Sequence, residues 1–240
     1  PTTDKWSIEE AKRTYHIDRW GLSYFDIDEE GRVVARPRPD NGGATIRLTD
    51  IIDEARERNL RTPLLIRFQD ILRHRVQTIN AAFAKAISEY EYRGSYRGVF
   101  PIKVNQLREV VEEVLIAGES HQTGLEVGSK PELFAALALH EQLGSLIICN
   151  GYKDEAYIRM ALLGQKMGKT VVLVVEKMEE LDPIVAVSRS MGVKPILGVR
   201  VKLWSKADGK WAASGGENAK FGLGTAEPLD LAKRLAKAEL

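Results

Sequence analysis

One cysteine, Cys149, is all the sequence has for thiol chemistry. That excludes an intrachain disulfide framework and fits a reducing compartment. It lies in the apolar run SLIICNGY, where a small buried hydrophobe is a plainer role than a nucleophile. No stretch approaches the ~20 apolar residues of a membrane helix, and PTTDKWSIEEAKR at the start lacks a secretory hydrophobic segment. A cytoplasmic protein away from membranes is the expectation. Charge of one sign is lacking too: Lys+Arg 35 against Asp+Glu 34 gives a formal net charge of +1, with no footprint for nucleic acid. The densest basic cluster, Arg73-His74-Arg75, falls in a helical pattern and reads as a solvated helix face. Missing as well is G-x-G-x-x-G after the first strand of the parallel region. That place holds KVNQLR, which removes the main support for a dinucleotide-binding sheet.

What is present is an ordinary globular composition, 44% hydrophobic and 29% charged over 240 residues, with ample material for a core. Residues 1–62 differ from the rest. YFDIDEEGRVVARP has two short alternating runs, Tyr24–Ile27 and Arg32–Ala35, around an acidic turn closed by Gly31, a hairpin signal. A Pro/Gly/Asn-rich loop and a short polar helix near 49–59 follow. This part is expected to be an N-terminal extension, with a second domain over 63–240.

There the apolar runs PLLIRF, VFPIKVN, TGLEVG, SLIICN, TVVLVV and PILGVRV alternate with amphipathic helices. Leu72, Val76, Ile79, Phe83, Ile87 and Tyr90 recur at helical spacing in 69–92, and Leu107, Val110, Val111, Val114 and Leu115 in 106–117. Ser129-Lys130-Pro131-Glu132 is a capping signature. Gly118, Gly144, Gly164 and Gly192 are expected at helix ends. Strand–helix units of this length imply parallel strands with right-handed crossovers. The expected fold is α/β, a (β/α)8 barrel that is incomplete. From Val99 onward only five βα units are counted, where a barrel needs eight over ~250 residues. A piece of a longer chain is the expectation; a complete five-stranded open α/β domain is the alternative.

Lys103 in GVFPIKVNQLREV stands at the end of an apolar strand. Alternation sets Phe100, Ile102 and Val104 on one side and Pro101, Lys103 and Asn105 on the other. The amine is then expected in the barrel mouth, partly desolvated and suited to Schiff-base chemistry; a surface lysine at a strand terminus is the other reading. Other strand ends are polar: Glu126 before VGSK, Asn150-Gly151, and Arg200 in ILGVRVKL. Glu126 and Arg200 read either as a buried structural ion pair or as charges that orient a cofactor.

GVFPIKVNQ, then GLEVGSKPEL, IICNGYKD and AKFGL, with the leader YHIDRWGLSYFDIDEEGRVVARP, resemble the N-terminal part of the biosynthetic arginine decarboxylases. These are pyridoxal-phosphate enzymes of the alanine-racemase-like barrel group, and the resemblance spans essentially the whole chain. It implies that Lys103 carries pyridoxal 5′-phosphate covalently, that Glu126 and Arg200 line the cofactor side, and that Lys220 of the K-F-G motif lies at a dimer interface. It implies decarboxylation of L-arginine to agmatine and CO2 in polyamine biosynthesis, Mg2+, and a homo-oligomer, dimer-based and tetrameric. The family's phosphate loop and several site residues fall beyond position 240, so the chain alone is expected to bind the cofactor poorly. SGGEN, Ser214–Asn218, reads as a loop rather than a phosphate cradle. Substrate choice rests on the resemblance, since no residue here visibly recognises a guanidinium. Two rivals stand beside the enzyme: a non-catalytic pyridoxal-phosphate carrier, and a cofactor-free interaction module.

Overall fold

Ser7 opens the first helix. Its hydroxyl accepts the Glu10 N–H, and the Glu10 carboxylate accepts the Ser7 N–H in return, so two donors that a helix start leaves bare are satisfied. The computed structural model describes residues 6–41, 43–203 and 221–239, in two units, Pro1–Ala81 and Ala82–Leu240. Lys220 and Ser214–Asn218 lie outside the described residues. Among the described residues no helix is long and apolar enough to cross a membrane.

The first unit runs α1 (Ile8–Thr14), α2 (Ile17–Trp20), β1 (Phe25–Ile27), β2 (Val33–Ala35), β3 (Ile46–Arg47), α3 (Leu48–Glu57) and the start of α4 (Gln69–Glu89). The hairpin pairs Phe25 with Ala35 and Ile27 with Val33. In its turn the Asp28 carboxylate accepts the N–H groups of Glu30 and Arg32. Alternation puts Ile27 inward, against Ala11 and Ile17, with Ile8, Phe25 and Val33 around them. Strand β3, only two residues long, adds to β2 and is too short to leave a period in the sequence. The run PLLIRF forms no strand. Its residues alternate half-buried and exposed, but without a ladder partner the pattern stays a bare extended segment. The basic cluster is also not simply solvated. His74 is half-buried, its ring nitrogens 2.6 Å from the Tyr24 hydroxyl and 2.7 Å from an Asp40 carboxylate oxygen.

The second unit is a parallel sheet in sequence order, β4 (Val99–Pro101), β5 (Gly124–Val127), β6 (Leu146–Cys149), β7 (Thr170–Val175) and β8 (Ile196–Val199). Between the strands run α5 (Arg108–Ala117), α6 (Lys130–Leu139), α7 (Glu155–Lys166) and α8 (Leu181–Met191), and α9 (Glu227–Ala238) follows β8. Among the described residues the five expected βα units are there, and the barrel is not closed. After β8 a single parallel bridge, Val201 to Leu223, begins a sixth pairing that the sequence count had not included.

Parallel pairing fixes which side chains share a face. Leu125, Ile147, Val171 and Leu173 face the helices, with Val127, Cys149 and Val175, and all are essentially fully buried. Val111 of α5, Leu133 and Ala136 of α6, Ile158 and Leu162 of α7, and Ile184 and Val187 of α8 close over them. Burying one such side chain contributes about 1.5–3 kcal/mol, so this layer holds the sheet together. The opposite face carries Glu126, Ile148, Val172, Val174 and Gly198, each half-buried.

Local signals placed most helix ends. Ser129 caps α6 by accepting the Glu132 N–H, although Glu132 reaches back to the Gly128 N–H rather than to Ser129. Asp154 caps α7 by accepting the Tyr157 N–H. Of the glycines expected at helix ends, Gly192 closes α8 in the left-handed region at φ 61°. Gly164 instead sits inside α7, where a Cβ would lie 2.7 Å from Leu137 Cδ2 and 3.0 Å from Val171 Cγ2. It is a contact glycine, small so that α7 can approach α6 and β7.

Candidate functional site

A parallel sheet gathers the residues that follow its strands along one edge, whatever their distance in sequence. Here that edge receives Lys103 two residues after β4, Glu126 near the end of β5, Asn150 after β6, Glu176 after β7 and Arg200 after β8. Phe100 and Ile102 pack into the helix-side core, while Pro101 pairs with Glu126 on the opposite face. Alternation thus assigns Lys103 to the Glu126 face.

The strand does not reach Lys103. The chain turns into a single 3-10 turn over Ile102–Val104, and Val104 is exposed rather than sharing the Phe100 and Ile102 side. The Lys103 side chain is exposed as well, and makes no ion pair or side-chain hydrogen bond among the described residues. The partial desolvation expected of a barrel mouth is therefore corrected. Five strands do not enclose the inner face, and the walls that exclude water from a closed barrel are not formed by these residues.

The structural ion pair between Glu126 and Arg200 does not form. Glu126 does not meet Arg200; its Oε1 accepts the Asn150 side-chain amide at 2.8 Å. Arg200 Nη1 instead donates to Glu176 Oε1 at 2.7 Å, with the Glu176 side chain 1% exposed and that of Arg200 45% exposed. The Arg200 guanidinium also lies 5.9 Å from the centre of the Phe221 ring. Glu176 was missed in the sequence because VVEKMEEL reads as the acidic first turn of a helix. Its signal was its place, the first residue past the buried strand TVVLVV.

Behind the edge sits a second pair that sequence reasoning missed. Lys153 and Glu180 are essentially fully buried, with Lys153 Nζ 3.2 Å from Glu180 Oε1. Lys153 also donates to the Gly151 carbonyl, and Glu180 Oε2 accepts the Glu176 N–H at 2.9 Å. Gly151 holds φ 76°, and a Cβ there would lie 2.3 Å from the Gly128 carbonyl oxygen. Only glycine lets the loops after β5 and β6 come this close. Buried Tyr157 ties the same two strand ends, its hydroxyl 3.3 Å from the Val127 carbonyl and 3.2 Å from that of Asn150. Cys149 faces the helices, and burial pushes its thiol up to about 12; it is a core residue, as its apolar run suggested.

An edge with an exposed amine, two carboxylates and a guanidinium on a βα sheet suits coenzyme chemistry. The family model for the pyridoxal-dependent decarboxylase pyridoxal binding domain matches residues 76–240. The chain belongs to that family. Among its relatives, the biosynthetic arginine decarboxylase of a Nostoc species is 48% identical over 98% of the chain and 34% of that protein. That of Bacteroides thetaiotaomicron is 48% identical over 94% of the chain and 36% of that protein. The chain thus spans about a third of the length of the relatives it matches. The crystal structure of biosynthetic arginine decarboxylase from Campylobacter jejuni superposes with a TM-score of 0.81 at 31% identity, covering 94% of this chain and 36% of that one. Diaminopimelate decarboxylase from Helicobacter pylori shares the fold, with a TM-score of 0.61 at 21% identity over 78% of this chain and 43% of that one. Among the described residues no three His, Cys, Asp or Glu stand together to hold a metal ion, so the Mg2+ implied by the resemblance gains no ligand set here.

Proposed function

We propose that this chain is the coenzyme-attachment part of a pyridoxal-phosphate-dependent carboxy-lyase that converts L-arginine to agmatine and CO2, with Lys103 as the attachment residue. One observation carries the reading: the Lys103 amine stands at the carboxyl edge of the sheet without a partner among the described residues. The donor set fits the coenzyme. An aldehyde condenses with a primary amine, and no carboxylate pairs with Lys103 among the described residues. On the same edge, Arg200 commits one nitrogen to Glu176 and among the described residues keeps further N–H donors for an oxyanion.

When bound, pyridoxal phosphate supplies an aldehyde and an electron-poor ring able to accept the electron pair left by departing CO2. Lys103 Nζ would hold it, and as a free amine would be the group placed to carry a proton. Glu126, bonded to Asn150, and Arg200, bonded to Glu176, would line the edge that receives it. Arginine as substrate is supported by the relatives' names and by 46–48% identity over nearly the whole chain. A homo-oligomer with Lys220 near the partner's site belongs to the same reading and rests on the resemblance alone, while a cytoplasmic location rests on the single cysteine of the sequence.

The test is CO2 release from carboxyl-labelled arginine by the whole protein that contains this chain. Lys103→Ala is expected to abolish release while leaving the circular dichroism spectrum intact. Near-wild-type release by that variant overturns the assignment.

A further inference from the structure

Four charged residues run in sequence from the interior of the second unit to its carboxyl edge. Lys153 pairs with Glu180, Glu180 Oε2 accepts the Glu176 N–H, and Glu176 Oε1 accepts from Arg200. The first three are 1–2% exposed, and the Arg200 side chain is 45% exposed. A buried carboxylate at a strand end stabilises a fold no better than an apolar residue would, so stability alone gives no reason for Glu176. Its surroundings nevertheless hold it firmly, because its carbonyl accepts the Gly222 N–H at 3.0 Å and its own N–H is capped by Glu180. The second carboxylate oxygen, Oε2, is buried and has no hydrogen-bond partner among the described residues, which is uncommon for a buried polar atom. A carboxylate so fixed at its backbone, with one oxygen on the guanidinium, leaves the Arg200 head little freedom.

We propose that Glu176 is a positioning residue for this decarboxylation: it fixes the Arg200 guanidinium at the carboxyl edge so that the remaining N–H groups meet an oxyanion of the bound coenzyme or substrate. This rests on the functional reading above. An arginine without its buried anchor samples several rotamers and loses side-chain entropy on each binding event. Displacement of a positioning group by about 1 Å costs on the order of 10²-fold in rate.

The experiment uses the whole holoenzyme loaded with pyridoxal phosphate and compares Glu176→Gln, Glu176→Asp, Arg200→Ala and the double variant Glu176→Gln/Arg200→Ala. Glu176→Gln keeps the shape and an acceptor oxygen but removes the charge. It is expected to lower kcat/KM by about 10- to 100-fold, with the melting transition retained. A moved absorption band and weaker coenzyme binding place the oxyanion on the coenzyme, while a raised KM for arginine with an unmoved band places it on the substrate. Glu176→Asp, which keeps the charge, is expected to recover part of the activity, and it carries the test should Glu176→Gln not fold. In the Arg200→Ala background Glu176→Gln is expected to add less than twofold. Spectrum and both kinetic constants within twofold of wild type overturn the inference, as does a full, independent loss in the Arg200→Ala background. If wild-type holoenzyme neither releases CO2 from arginine nor labels at Lys103, the functional reading itself fails, an outcome distinct from both.

Discussion

Lys153→Met strands a charge. The lysine side chain is 0% exposed, with its ammonium against Glu180 and the Gly151 carbonyl. Methionine fills a similar volume, so the cost comes from the anion left behind rather than from a cavity. Removing one partner of a buried pair typically costs about 3–5 kcal/mol. Glu180 retains the backbone N–H groups of Lys153, Glu176 and Lys177, which places the loss near the lower end, about 3 kcal/mol. At about 2–4 °C per kcal/mol for a chain of this size, Tm falls by roughly 6–12 °C. Urea unfolding of the 240-residue chain measures it, with a lowered midpoint at unchanged slope. Adding Glu180→Gln to Lys153→Met discharges the stranded carboxylate and is expected to restore at least about 1 kcal/mol, the sign of coupling in a double-mutant cycle. A loss under about 1 kcal/mol for Lys153→Met, or costs that simply add in the double variant, refutes this reasoning.

Two further outcomes follow from single sites. His140 is buried, neither ring nitrogen has a partner among the described residues, and desolvation followed by the charge of Lys169 holds its pKa below the usual 6.5. The unfolded chain then binds the proton first. The contribution of the neutral ring is whole above about pH 6.5 and declines as pH falls below that towards the folded value, so urea midpoints drop from about pH 6.5. Against Leu in its place, that decline is expected to shrink; an unchanged pH profile of Cm counts against it. Gly164→Ala pushes a methyl into Leu137 and Val171 and is expected to cost about 1–3 kcal/mol, against the gain that alanine brings to an open helix position. A Tm at or above wild type shows that the α6–α7 contact can spread.

Much of this architecture was readable because it follows from period and position. Buried parallel strands appear as unbroken apolar runs, and the residue just past each run must land on the carboxyl edge. Lys103, Glu126, Asn150 and Arg200 were legible on that ground alone. Their partners were not. A carboxylate at the end of one strand can meet several neighbours, and only the register shows that Glu126 takes Asn150 while Arg200 takes Glu176. Lys153 in NGYKDE and Glu180 in EKMEEL look like solvated loop and helix charges, because nothing in a short polar stretch says that it will be covered. The sequence left Lys103 open between a barrel mouth and a surface position for the converse reason: burial depends on walls that its own strand does not supply. PLLIRF misled because an alternating run becomes a strand only when another chain segment pairs with it.

The most direct measurement is borohydride reduction after mixing the whole protein with pyridoxal phosphate, followed by peptide mass spectrometry. A phosphopyridoxyl group on the peptide containing Lys103, lost in Lys103→Ala, is the result this account requires. Stoichiometric label on another lysine, with Lys103 unmodified, contradicts it.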